Sequence, residues 1–99
     1  MTTYTIIWSP TARLTYYKVL EYLLENWTFK ELEAFIDRTE EVISHICINP
    51  LLYPYSIESG VHKCVVVKQV SLFYRIKTTD TIELLVFWDN RQDPAKLRF

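Results

Sequence analysis

The sequence predicts an α+β domain: a two-helix hairpin packed on a small antiparallel sheet, in the order β-α-α-β-β-β with a C-terminal tail. Three observations predict it. Two apolar stripes of helical period follow one another in the first half, three β-branched or aromatic runs with short polar breaks fill the second, and an aromatic strand precedes both. Each helix has one apolar face to bury, and the sheet is what remains to cover it. With 99 residues, 49% of them hydrophobic, there is material for one core and not for two, so residues 1–99 are expected to form a single domain.

Tyr4-Thr5-Ile6-Ile7-Trp8 is the first strand, and it stops at Ser9-Pro10, a helix N-cap followed by proline at the first helical position. The helix that follows, over 11–26, carries Ala12, Tyr16, Val19, Leu20, Leu23, Leu24 and Trp27 on one stripe. Asn26-Trp27-Thr28 interrupts it, and Thr28 with Glu31 three residues on forms a capping box for a second helix. Leu32, Phe35, Ile36, Thr39, Val42, Ile43 and Ile46 are its stripe. The helix ends at Asn49-Pro50, because the residue before proline avoids the α region. A loop rich in Pro, Tyr and Ser spans 51–60. Strands are expected at 63–67, 70–76 and 82–88, turning at Lys68-Gln69 and at Lys77-Thr78-Thr79-Asp80. The N-terminal strand can add to one edge of this sheet. Residues 89–99 are a polar, basic tail, extended or partly helical.

Composition excludes several functions. A single glycine, Gly60, rules out phosphate-cradling loops and dinucleotide turns, which need several. Cys47 and Cys64 lack metal-ligand spacing, so no metal and no cofactor is expected; both are read as reduced, partly buried thiols of a cytoplasmic protein. No apolar run is long enough to cross a bilayer, and no secretory h-region follows Met1. The formal charge of −1 argues against a domain that blankets nucleic-acid phosphates. That charge is uneven: residues 1–60 hold four basic side chains against eight acidic ones, and residues 61–99 seven against four. An anionic partner should therefore meet the sheet and tail.

Groups for acid-base work are sparse. His45 lies off the centre of its helix stripe and reads as a boundary or surface residue. His62, beside Lys63 at a strand entry, is either a general base able to take a ribose 2′-hydroxyl proton or a solvated side chain. The acids of the second helix form a solvated face. Asp89 and Asp93 flank Arg91, an arrangement able to hold the guanidinium between two carboxylates and so withhold it from phosphate. Among the aromatics, for which core packing is the default, Trp88 is the exception worth following, since it adjoins the basic tail.

The element order, together with Asn49-Pro50-Leu51-Leu52, Leu72-Phe73-Tyr74-Arg75-Ile76 and Asn90-Arg91-Gln92-Asp93-Pro94, resembles the RelE/ParE toxin superfamily over nearly the whole chain. The resemblance implies a small antiparallel sheet on a two-helix hairpin, acting as the toxin of a type II toxin-antitoxin operon of the plasmid-stabilisation kind. RelE-type members cut messenger RNA on the ribosome with a lysine and arginine cluster and a tail tyrosine. Lys63 and Arg91 match two of those positions. However, Ser71 stands where the family has a strand arginine, and the tail holds Leu97 and Phe99 but no tyrosine. The ParE-like branch, which binds and stalls DNA gyrase without catalysis, is the nearer likeness.

By that likeness the target surface comprises Trp88, Arg91, Lys96 and Arg98. A cognate antitoxin would lie on apolar residues around the first helix, Leu14, Tyr17 and Trp27, unless these pack on the 51–55 loop instead. The alternatives are a ribosome-dependent ribonuclease using Lys63, Arg91 and His62, and a non-toxic interaction module derived from a toxin. A homodimer or a toxin-antitoxin hetero-oligomer is the expected assembly.

Overall fold

A computed structural model describes residues 3–97 and Phe99. The elements are β1 (Thr5–Trp8), α1 (Pro10–Asn26), α2 (Phe29–Ile48), β2 (Tyr55–Ser56), β3 (Val61–Val67), β4 (Val70–Thr78), β5 (Thr81–Asp89) and a 3-10 turn (Pro94–Lys96). They build the α+β architecture expected, with one strand more. β2 lies inside the segment read as a loop, and two residues are too few to show a period in sequence.

Both helix starts form as their sequences dictate. The Ser9 hydroxyl accepts from the Ala12 N–H at 2.9 Å, and Thr28 and Glu31 form the reciprocal capping box. The strands are ordered β1-β5-β4-β3-β2. β2 to β5 are antiparallel neighbours, while β1 runs parallel to β5, with Thr5 opposite Thr81 and Trp8 opposite Leu84. The sheet is therefore mixed at one edge. Beyond Leu84, α1 takes over from β1. Ser9 N–H donates to the Leu84 carbonyl and Ser9 Oγ–H to that of Leu85, both at 3.0 Å; Phe87 N–H donates to Thr15 Oγ1 at 2.9 Å. Two helix hydroxyls thus occupy backbone groups that a longer edge strand would have paired.

The first hairpin turns at 68–69, as expected, and the second is tighter than expected, at 79–80 rather than 77–80, because β4 runs on to Thr78. Two-residue hairpins usually need positive φ, yet among the described residues only Gly60 has it, at 69°. The strands compensate with register shifts beside each turn, at Val65/Val67 and at Ile76/Thr78. Gly60 instead closes the β2–β3 turn, its N–H donating to the Ser56 carbonyl at 2.8 Å. A further shift leaves Leu85 without an opposite residue, since Phe73 faces Val86 and Tyr74 faces Leu84. The bulge switches the side-chain alternation of β5: Ile82 and Leu84 enter the main core before it, Phe87 after it.

The main core lies between the helices and one sheet face, around Ala12, Leu23, Phe35, Val42 and Ile46 from the helices and Cys64, Leu72, Tyr74, Leu84 and Phe87 from the strands. Half-buried Tyr16 packs against it, stacked on Phe35 at 5.8 Å and edge-on to Trp8 at 5.2 Å. Leu24, expected on the buried stripe, is 67% exposed. It continues a second apolar line with Leu14 and Tyr17 on the outer side of α1, at 56% and 59% exposure. A smaller cluster of Val61, Phe73 and Val86 lies apart, with Leu85, Trp88 and the tail residue Leu97 packed on it. Cys64 is fully buried and Cys47 half-buried, both as free thiols. Among the described residues no helix is long and apolar enough to cross a membrane.

Candidate functional site

Where β5 ends, the chain turns back beside α1 and leaves a groove of about 420 Å³. α1 supplies Lys18 and Tyr22, and its C-cap Trp27; the end of β5 and the tail supply Trp88, Asp89, Arg91 and Lys96; Val19, Leu23 and Phe87 give it apolar floor. Three cations and one carboxylate line it, so the groove is cationic although the chain is not.

Arg91 is the groove's most constrained group. Asp89 accepts from the Arg91 backbone N–H at 2.9 Å, which folds the turn, and then takes the guanidinium in two bonds: Nε to Oδ1 at 3.0 Å and Nη2 to Oδ2 at 2.7 Å. Nη1 donates to the Tyr22 hydroxyl at 3.1 Å, and the guanidinium stands 4.9 Å from the Tyr22 ring centre. The guanidinium beside it holds the Asp89 carboxyl below the usual carboxylate range. The hydrogen bond to that carboxylate in turn pushes the Arg91 pKa up. Asp93 takes no part in this: it caps the 3-10 turn, accepting from Ala95 N–H at 3.0 Å. The expected pair of carboxylates around Arg91 is in fact one.

Of the proposed target-binding residues, Arg91, Lys96 and Trp88 meet at this groove, and Arg98 lies outside the described residues. Trp88 is half-buried against the Val61, Phe73 and Val86 cluster, so only part of it is accessible. Of the proposed antitoxin-binding residues, Leu14 and Tyr17 share the exposed line on α1, whereas Trp27 is half-buried on the core and lines the groove. The 51–55 loop does not shield Leu14 and Tyr17, which are 56% and 59% exposed; its Tyr53 carbonyl and the adjoining Pro50 carbonyl are tied to His62 and Tyr74 instead.

The nuclease set does not converge. His62 and Lys63 are consecutive on β3 and point to opposite faces. Lys63 stands over the Phe73 ring at 6.0 Å, beside Phe99, whose ring lies 5.2 Å from that of Phe73. His62 is buried, not solvated, and its Nδ1 is bonded to the Tyr53 carbonyl at 2.9 Å. Arg91 is held against Tyr22 of α1. Ser71 is fully buried, donating to Asn90 Oδ1 at 2.9 Å, so a hydroxyl that locks the β5 exit occupies the position of the missing arginine.

The sequence reading missed Lys18 and Tyr22. Their i, i+4 spacing was the available signal, but Tyr22 meets Arg91 across 69 residues of chain, which no local pattern encodes.

The architecture, a two-helix hairpin on a small sheet, is one found in proteins of known structure. No protein-family model matches the sequence, and no curated protein matches it. Two of the solved structures similar to it illustrate the likeness. One is a chain of the chromosomal ParDE toxin-antitoxin system from P. aeruginosa, with a TM-score of 0.71 and 12% identity over 88% of this chain and 96% of that one. The other is the YoeB dimer from Staphylococcus aureus, with a TM-score of 0.57 and 16% identity over 86% of this chain and 94% of that one. At such identities the likeness is one of fold.

Proposed function

We propose that the chain is the toxin of a type II toxin-antitoxin pair, neutralised in the cytoplasm by a cognate antitoxin, and that it acts in the ParE manner by binding DNA gyrase. The observation that carries the toxin reading is the fold shared with the ParDE structure over nearly the full length of both chains. The binding mode is favoured over RNA cleavage by the geometry of the would-be catalysts. His62 and Lys63 face apart, and Arg91 is chelated by Asp89. Transition-state stabilisation needs the acid-base and cationic groups preorganised around one reacting phosphate; here His62 and Lys63 lie on opposite faces of the sheet.

In this reading the groove between α1 and the tail is the effector surface, with Lys18, Arg91 and Lys96 as its charged rim. The exposed line Leu14, Tyr17 and Leu24 receives the antitoxin, as an amphipathic segment laid on an apolar helix face. Two measurements test the proposal. Induced expression without the neighbouring gene arrests growth, and the purified protein at micromolar concentration inhibits supercoiling by gyrase. Unimpaired gyrase with cleaved messenger RNA would transfer the protein to the ribonuclease reading. Normal growth would leave an interaction module.

A further inference from the structure

At the β2 edge of the sheet, three aromatic rings stand in a row. Tyr55 of β2 is directly opposite His62 of β3, and His62 directly opposite Tyr74 of β4, so all three share one face. The His62 ring lies 4.8 Å from Tyr55 and 5.0 Å from Tyr74, nearly parallel to the latter at 10°. The 50–54 loop arches over the row. Tyr74 donates its hydroxyl to the Pro50 carbonyl at 2.7 Å, and His62 Nδ1 bonds the Tyr53 carbonyl at 2.9 Å.

That bond fixes the histidine. A carbonyl only accepts, so Nδ1 carries the proton, and in the neutral ring Nε2 carries the lone pair. His62 is only 4% exposed. Among the described residues Nε2 has no hydrogen-bond partner, and no buried side-chain nitrogen or oxygen is left unpartnered, so Nε2 keeps some access to the outside. What it opens to is a cleft of about 680 Å³ walled by Leu51, Leu52, Pro54, Tyr55, Gly60 and Ile76. No residue lining this cleft carries a formal charge.

We propose that this cleft is a docking pocket for one aromatic side chain bearing an N–H donor, a tryptophan presented by a partner protein, whose indole N–H is accepted by His62 Nε2. The apolar walls and aromatic floor suit a flat ring. The oriented acceptor requires a donor, because a ligand without one would seal Nε2 away from water unpaired. A nucleotide would bring its phosphate to walls that offer no lysine or arginine. A second copy of this chain does not supply the ring, since its own tryptophans Trp8, Trp27 and Trp88 are all half-buried in their own packing. The pocket is independent of the groove beside α1 and of its assignment.

Titration of the intact, ¹⁵N-labelled protein with indole and with 1-methylindole at pH 8 tests the proposal. The two probes have nearly the same shape and differ in the donor. Indole is expected to shift the amide signals of Tyr55, Gly60 and His62 saturably, and to bind at least fivefold more tightly than 1-methylindole. The variant His62→Phe should bind both equally, and Ile76→Lys, at an exposed wall of the cleft, should bind neither. Equal binding of the two probes by the unaltered protein, or the absence of saturable shifts at those amides, overturns the proposal. That comparison needs no variant, so it stands even if His62→Phe misfolds.

Discussion

Arg91 commits three of its five N–H donors within the protein, two to Asp89 and one to Tyr22, which leaves two for a partner. A guanidinium held this way recognises a surface that fits around it. It does not sweep for phosphates as a free one does. Two predictions follow from the chelate. Because the folded Asp89 carboxyl titrates below its unfolded value, near 3.9, the stability it contributes is present above that value and is lost as pH falls through the folded one. The Arg91 Nε–H resonance should therefore stay protected from exchange down to about pH 4 and lose protection only below it; loss by pH 6 would contradict the chelate. The variant Asp89→Asn should fold normally, as expected for a partly exposed pair. It should also bind a single-stranded RNA several-fold more tightly, with a steeper salt dependence, in a fluorescence anisotropy titration.

Among the elements, β5 is paired on one side by β4 along its length and on the other by two different things in succession, β1 and then α1. Thr15 is the hinge of that arrangement, since its hydroxyl takes the Phe87 N–H. Thr15→Val keeps the shape and removes the acceptor. It should cost about 1–3 kcal/mol in chemical denaturation, the penalty of an unpartnered buried amide, and Thr15→Ser should recover most of it. The helix boundaries were legible because their causes are local: Ser9-Pro10, the Thr28-Glu31 box and Asn49-Pro50 each act within one turn. The role of Thr15 was not, since its partner lies 72 residues away. Leu24 was misplaced for a related reason. α1 is apolar on two sides, so its period alone does not say which line faces the sheet. His62 reads as a strand-entry histidine, and only the arch of the 50–54 loop makes it a buried one.

At the scale of the whole molecule, the two surfaces proposed for antitoxin and target are separate. The apolar line Leu14, Tyr17 and Leu24 lies on the outer side of α1, and the cationic groove lies between α1 and the tail. Substitutions should separate likewise. Leu14→Asp with Tyr17→Asp should weaken antitoxin capture at least tenfold in a pull-down titration while leaving growth arrest intact. Lys18→Glu with Lys96→Glu should relieve growth arrest while leaving capture intact. If either pair abolishes both properties, the surfaces are not distinct. The acidic helical half and the basic sheet half were visible as a charge split in the sequence, but their convergence on one groove was not. Lys18, on the acidic side of that split, became a neighbour of Arg91 and Lys96 only through the fold.

The pairing of β1 with β5 also sets a timetable. Thr5 finds its partner Thr81 only after 76 further residues are made, which at about 5–20 residues per second takes roughly 4 to 15 s of synthesis. Until then the edge of the sheet, the floor of the main core at Leu84 and Phe87, and the Asp89–Arg91 chelate do not exist. The nascent chain thus passes most of its synthesis without the groove proposed as its effector surface, while Leu14 and Tyr17 emerge early. In the proposed toxin-antitoxin reading, a neutralising partner already in the cell meets the apolar helix before the target-binding surface is assembled.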